Sequence, residues 1–260
     1  MPRFFVDASL APHQNLALPE SVVRHLHVLR LDTGDELTLF NGAGPAFQAR
    51  LTEIGKKHAM AHLADALPDN RSEPPYRITL VQGIASNEKM DWLIEKAVEL
   101  GISHIVPVAA ARSVVRLTGE RAERRHAHWT ALCRAACEQS GRNQVPTVAT
   151  PLSFNEWLTQ SEACAKTTAN DIAQGLCSEG EPLRLLLSPR ADFRFGTLPD
   201  SAPKAGVQLL IGPEGGWTEA EEDLARAAGW SSLSLGPRIL RAETAGMALL
   251  AALAGRWGGW

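Results

Sequence analysis

The chain has 260 residues, 45% hydrophobic and 21% charged, enough for a sizeable core in one or two domains. Its 26 Lys and Arg against 29 Asp and Glu give a net charge of −3, which argues against charge-driven disorder and against indiscriminate nucleic-acid binding. There is no apolar run of about 18 residues, no signal-peptide core after Met1-Pro2-Arg3, and only four scattered cysteines, so a cytoplasmic protein without membrane spans or a disulfide framework is expected.

Residues 1–70 read as a small β-rich unit. Pro19-Glu20-Ser21 precedes a short helix, Val22 to Leu29. Asp35 to Gly42 is a strand ending in a turn, and the alternating stretch Ala46 to Ile54 follows as its hairpin partner. The polar, proline-rich Leu67 to Pro75 reads as a linker. Beyond it, residues 76–260 alternate strands with helices, the sign of an α/β layer fold.

Ile78 to Gly83 is a buried strand. Lys89 to Leu100 is an amphipathic helix with Met90, Leu93, Ile94, Ala97 and Val98 on one stripe, stopped by Gly101. Ile105 to Val108 is the next strand, and Arg121 to Ser140 a long helix ended by Gly141. Thr159 to Glu181 reads as helix plus loop. Leu185 to Pro189 and Val207 to Pro213 are short apolar strands that break into loops. Thr218 caps a helix, with Glu221 three residues on in capping-box register. Ser232 to Gly236 is the last strand and Ala242 to Leu253 the last helix.

No metal site is expected. Cys133 and Cys137 lie four apart on a helix but nothing completes a set, and the ring pair His25-x-His27 points to different helix faces. The strongest chemical feature is two strand-to-loop junctions, Ile211-Gly212-Pro213-Glu214-Gly215-Gly216 and Leu235-Gly236-Pro237-Arg238-Ile239-Leu240-Arg241-Ala242-Glu243-Thr244-Ala245. Open α/β sheets bind ligands beyond the carboxyl ends of their strands, and glycines there let the backbone approach a ligand. The alternative is plain turns and a helix cap. Neither loop carries a dinucleotide or P-loop fingerprint, which disfavours a Rossmann oxidoreductase.

These loops, with Glu88-Lys89-Met90-Asp91-Trp92, the Glu99-Leu100-Gly101 helix end, Ala136 to Asn143, the opening Pro-Arg-Phe-Phe and Arg24 to Arg30, resemble the bacterial RsmE family. Its members are 16S ribosomal RNA uridine-N3 methyltransferases of the SPOUT superfamily, and the resemblance runs nearly the whole chain. It implies an α/β, trefoil-knotted methyltransferase domain over 76–260 and a PUA-like RNA-binding barrel over 1–70. It also implies S-adenosylmethionine as methyl donor, a homodimer, and uridine 1498 of the small ribosomal subunit as target, in the usual rRNA numbering. Two departures stand out: Glu95 replaces a glutamine, and Cys164 to Glu181 looks like an insertion.

On this reading S-adenosylmethionine is held by Leu187, Ser188 and Pro189, by Ile211, Gly212, Pro213, Glu214, Gly215 and Gly216, and by Leu235, Gly236, Ile239, Leu240, Arg241, Thr244 and Ala245. Arg241 stabilises charge developing on a uracil carbonyl oxygen. Glu243 is either a base or, the favoured alternative, an acid at the positive end of the last helix. Glu214 either offsets the cofactor's charge or bonds the loop backbone.

From Arg112 to Arg142 seven arginines face three glutamates, so this stretch is expected to meet RNA phosphate. Lys89, Arg112, Arg116, Arg142, Arg3 and Arg24 are the candidates, a solvated surface being the alternative for each. The last helix, around Met247 and Leu250, is expected in a dimer interface. The rival functions are a SPOUT methyltransferase for another RNA site and a non-catalytic RNA-binding protein.

Overall fold

The computed structural model describes residues 1–68, 72–115, 117–164, 180–191 and 193–260. Two compact units result. The first comprises Met1–Glu73 with Cys133–Val145, the second Pro74–Leu132 with Pro146–Trp260.

In the first unit five strands form one sheet: β1 (Arg3–Phe5), β2 (Asn15–Ala17), β3 (Glu36–Phe40), β4 (Phe47–Ile54) and β5 (Ala59–Ala66), in spatial order β1-β3-β4-β5-β2. The hairpin expected from the alternation is there, with Leu37 opposite Ala49 and Leu39 opposite Phe47. Helix α1 (Glu20–Val28) turns Val22, Val23 and Leu26 into a core shared with Phe4, Leu37, Leu39, Leu51 and Leu63. Strand β5 was not foreseen. Its sequence, AMAHLADA, alternates buried Ala59, Ala61 and Leu63 with the less buried Met60, His62 and Ala64, so neither face is marked by a contrast in hydrophobicity.

The second unit is built on a sheet of parallel pairs. Its strands are β6 (Ile78–Gly83), β7 (His104–Ala109), β8 (Thr147–Val148), β9 (Leu152–Ser153), β10 (Leu183–Leu187), β11 (Phe193–Arg194), β12 (Val207–Ile211) and β13 (Ser231–Ser234). The order is β11-β13-β10-β12-β6-β7-β8, with β9 also on β7. The helices are α2 (Asn87–Glu99), α3 (Gly119–Ser140), α4 (Phe154–Cys164), α5 (Glu219–Ala227) and α6 (Ala242–Trp257). The division between the units falls inside α3.

Helix α2 buries the stripe read from its spacing, Met90, Leu93, Ile94, Ala97 and Val98. Gly101 stops it at φ +87°, a left-handed conformation natural to glycine at a helix C-terminus. Thr218 and Glu221 form the expected capping box on α5. Helix α4 begins five residues before the stretch read as helix plus loop; most of that stretch, and of the expected insertion, lies outside the described residues.

Met247 and Leu250 are buried within the chain, where α6 lies on α2 and β12, while Thr244 and Ala248 of the same helix are exposed. The approach is close: a Cβ at Gly246 would stand 3.1 Å from Ile211 Cδ1.

Candidate functional site

The strand order β13-β10-β12 sets three adjacent parallel strands side by side, so the loops leaving them share one end of the sheet. Together they enclose a cavity of about 300 Å³. Leu187, Ser188 and Pro189 line it from the first loop, Ile211 to Gly216 from the second, and Leu235, Gly236, Ile239, Leu240, Arg241 and Ala245 from the third. Of the residues expected to hold a cofactor, Thr244 alone does not line the cavity. Arg238 and Ala242 line it within the expected third loop, and the lining residues that sequence reasoning did not assign to the cofactor are Arg112, Arg190, Trp217, Glu222 and Ser234.

The second loop is rigid for identifiable reasons. Gly216 takes φ +66° and donates to the Pro213 carbonyl at 2.8 Å, closing a turn. A Cβ at Gly212 would meet the Gly216 backbone at 3.1 Å, and one at Gly215 would meet Arg112 Cβ at 2.9 Å. Gln82 Nε2, fully buried at the end of β6, donates to the Gly212 carbonyl. Trp217 pins the far end, its ring 5.4 Å from Phe154 in an aromatic cluster continued by Trp157 and Trp230. The Arg112 guanidinium donates to the carbonyls of Gly215 and Trp217, and Glu221 accepts the Ala111 N–H. Arg112 is therefore a brace for this loop.

Glu214 accepts hydrogen bonds from the Ser86 N–H and hydroxyl at 3.1 and 2.9 Å and lies 3.4 Å from Lys89 Nζ. Burial pushes its carboxyl up, but its own N–H, the two Ser86 donors and Lys89 together outweigh that and hold it below the usual carboxylate range. Lys89 also stands 3.9 Å from Glu243 Oε1, so this lysine, expected on RNA phosphate, bridges two carboxylates beside the cavity.

Glu243 sits in the first turn of α6. No side-chain hydrogen bond caps that helix, and Glu243 Oε2 is buried without a hydrogen-bond partner among the described residues. Arg241, at the N-cap position, is exposed on the cavity lining.

Glu222 is a further carboxylate that the sequence did not single out. It is buried on α5, accepts from the Ser188 hydroxyl, and pairs with Arg190 at 2.8 Å and Arg226 at 3.4 Å. Its neighbour Glu221 drew attention as the cap, yet Glu222 is the one that steadies the first loop.

The arginines expected on RNA divide sharply. Arg142 is 3% exposed and pairs with Glu73 through Nη2 at 2.7 Å and Nε at 3.0 Å. Arg3 donates to the Arg142 carbonyl and to Asn143 Oδ1, and stacks over Phe40 at 5.0 Å; burial pushes its guanidinium below its ordinary value. Arg142 does not present its charge to a phosphate, which corrects the expectation for it, while Arg3 remains partly exposed. Arg134 lies over the Phe5 ring, and Arg124 pairs with Glu120. Arg24 is exposed, and Arg116 lies outside the described residues.

Burial pushes the Cys133 and Cys137 thiols up to about 12, leaving no nucleophile there. Among the described residues no group of three or more His, Cys, Asp or Glu is placed to hold a metal ion.

Comparison with known proteins agrees with this geometry. The RNA methyltransferase domain family matches residues 72–254, and the RNA methyltransferase PUA domain matches residues 18–62. Ribosomal RNA small subunit methyltransferase E of Bacillus subtilis is 30% identical, over 97% of this chain and 96% of its own length. The protein of the same name from Buchnera aphidicola (subspecies Schizaphis graminum) is also 30% identical, over 99% and 97%. The crystal structure of ribosomal RNA small subunit methyltransferase E from Neisseria gonorrhoeae bound to S-adenosyl methionine superposes with a TM-score of 0.84 at 38% identity, covering 99% of this chain and 98% of that one.

Proposed function

The chain belongs to the ribosomal RNA small subunit methyltransferase E family, and we propose from this that it transfers a methyl group from S-adenosylmethionine to N3 of uridine 1498 in 16S ribosomal RNA. The fold is of the trefoil-knotted SPOUT class, with a PUA-like N-terminal unit. Residues 76–260 are the methyltransferase domain and residues 1–70 the RNA-binding domain of this proposal. The enzyme works in the cytoplasm, on the small ribosomal subunit, as a homodimer.

The observation that carries the reading is the convergence of three loops on one cavity. A volume of about 300 Å³ is at the lower bound for small-molecule sites. Its walls suit the cofactor: apolar Leu187, Ile211, Leu235 and Leu240 offer a surface for an adenosine face, and the glycine loops present backbone donors and acceptors. Glu214, kept ionised by Ser86 and Lys89, supplies negative charge toward a sulfonium. S-adenosylmethionine supplies an electrophilic methyl group when bound.

The chain's own residues then have three tasks: to align N3, to remove its proton and to exclude water. Arg241, exposed at the cavity, stabilises negative charge on a uracil carbonyl oxygen. Glu243 Oε2, lacking any hydrogen-bond partner among the described residues, accepts the N3 proton. Lys89, between Glu214 and Glu243, offsets the repulsion between the two carboxylates.

The test is methylation of small subunits purified from cells lacking the modification, using labelled S-adenosylmethionine, followed by mapping of the labelled nucleotide. Label at N3 of uridine 1498 is expected; label on a 2′-hydroxyl or another base would favour a SPOUT enzyme for a different site. No cofactor binding by calorimetry would favour a non-catalytic RNA-binding protein. Sedimentation at micromolar concentration is expected to show a dimer.

A further inference from the structure

We propose that the first unit grips ribosomal RNA phosphate through exposed cations on the outer face of α1, just beyond its C-terminus, and on the turn between β4 and β5: Arg24, Arg30, Lys56 and Lys57. This rests on the RNA methyltransferase reading and names the surface that it requires. That surface has to be found anew, because Arg3 and Arg142 are committed inside the first unit and Arg112 to a loop carbonyl.

The cluster is assembled by α1 and by one hydrogen bond. Val22, Val23 and Leu26 turn inward, which leaves Arg24, His27 and Val28, at i, i+3 and i+4, along the outer face. His27 Nε2 is 3.1 Å from the carbonyl of Gly55, the first residue of the β4–β5 turn, so Lys56 and Lys57 stand beside the helix end. The turn is closed by the Gly55 N–H donating to the His58 carbonyl.

Arg30 follows the helix with φ +57°, left-handed in a residue that is not glycine. Its N–H donates to the His27 carbonyl, and the Leu31 N–H to that of Leu26. A glycine would hold this helix end without strain, and strained side-chain-bearing positions of this kind concentrate at functional surfaces.

All four cations are exposed, and none of their side chains makes a hydrogen bond or ion pair among the described residues. On the turn side Glu53 is taken by His58 at 2.9 Å, Glu20 lies at the opposite end of α1, and the exposed acids after Arg30, Asp32 and Asp35, are engaged with each other, the Asp32 N–H donating to Asp35 Oδ2. A helix C-terminus attracts cations in any protein, but it does not account for the two lysines of a separate turn. Lysine is depleted in protein–protein interface cores and serves well as a phosphate contact, which favours RNA over an acidic protein.

The experiment combines Arg24→Gln, Arg30→Gln, Lys56→Gln and Lys57→Gln in the full chain. Affinity is measured against both small-subunit particles and naked 16S rRNA over a range of KCl concentrations. Binding of both is expected to weaken at least about tenfold at moderate salt. The salt slope should shrink by about three, since each lost phosphate contact removes roughly 0.7–0.9 of it. S-adenosylmethionine affinity and the melting temperature should stay at wild-type values. Lys56→Gln with Lys57→Gln alone, on the exposed turn, should give about half the slope change and guards against a folding defect in the fourfold variant.

Unchanged affinity and slope would overturn the proposal. So would weaker binding to particles with naked rRNA unaffected, which would make the cluster a ribosomal-protein contact. If the wild-type protein bound rRNA through these residues but methylated no uridine, the methyltransferase reading would fail while this surface stood.

Discussion

The cavity at the ends of β10, β12 and β13 and the arginine network around Glu73 are both closed structures, but one is closed by backbone and the other by charge. In the cavity, Gly216 turns the chain and Gln82, Arg112 and Trp217 fasten it from outside, so the loop's remaining peptide groups face a ligand already ordered. Around Glu73, the Arg142 fork and the N–H groups of Asn143 and Gln144 converge on one carboxylate. A charge so fully matched holds the fold and has little left for a partner.

The sharpest way to break this contrast is Arg142→Ala. It leaves Glu73 in place without its guanidinium, and loss of one partner from a buried pair costs about 3–5 kcal/mol. Urea denaturation should show a loss of that order, with S-adenosylmethionine affinity unchanged in the folded protein. Near-wild-type stability with weakened RNA binding would return Arg142 to the surface role its sequence context suggests.

Next in size is Glu243→Gln. If Oε2 accepts the N3 proton, single-turnover methylation should fall about 100-fold, at the lower end of what a positioned base supplies, with cofactor affinity held within about threefold. A fall of less than about threefold would leave Glu243 as a partner of Lys89 only.

A smaller effect is expected from Gly212→Val, whose Cβ would press the Gly216 backbone. Cofactor affinity measured by calorimetry should drop about tenfold, roughly 1.4 kcal/mol. Unchanged affinity would mean that the loop's backbone position is not what the cofactor reads.

The smallest effect is a pH dependence. Glu214 holds its proton less tightly folded than unfolded, so its contribution to stability is present above the ordinary carboxylate range. It is lost as pH falls through the depressed value. Stability measured between pH 7 and about pH 3 should therefore lose part of its acid-side slope in Glu214→Gln.

Local chemistry made much of the molecule legible. The α2 stripe, the Thr218–Glu221 box and the two glycine loops are patterns within a dozen residues, and the structure assembles them as their spacing indicates. What escaped depends on partners far away in the chain. The fate of Arg142 was decided by Glu73, 69 residues distant, and that of Met247 by packing of α6 on α2 and β12. Lys89 reads as a surface cation until Glu214 and Glu243 arrive beside it from two later loops. Glu222 was hidden for the opposite reason, since an acid in the first turn of a helix is ordinary until Ser188 and two arginines close on it.

The central claim, that this chain methylates N3 of one uridine in small-subunit RNA, is tested most directly by mapping modified nucleotides in 16S rRNA from a strain lacking the gene, before and after its restoration. Loss of 3-methyluridine at position 1498 on deletion, and its return with the wild-type gene but not with Gly212→Val combined with Glu243→Gln, is the predicted result. An unchanged methylation pattern, or loss of a methyl group elsewhere, would contradict it.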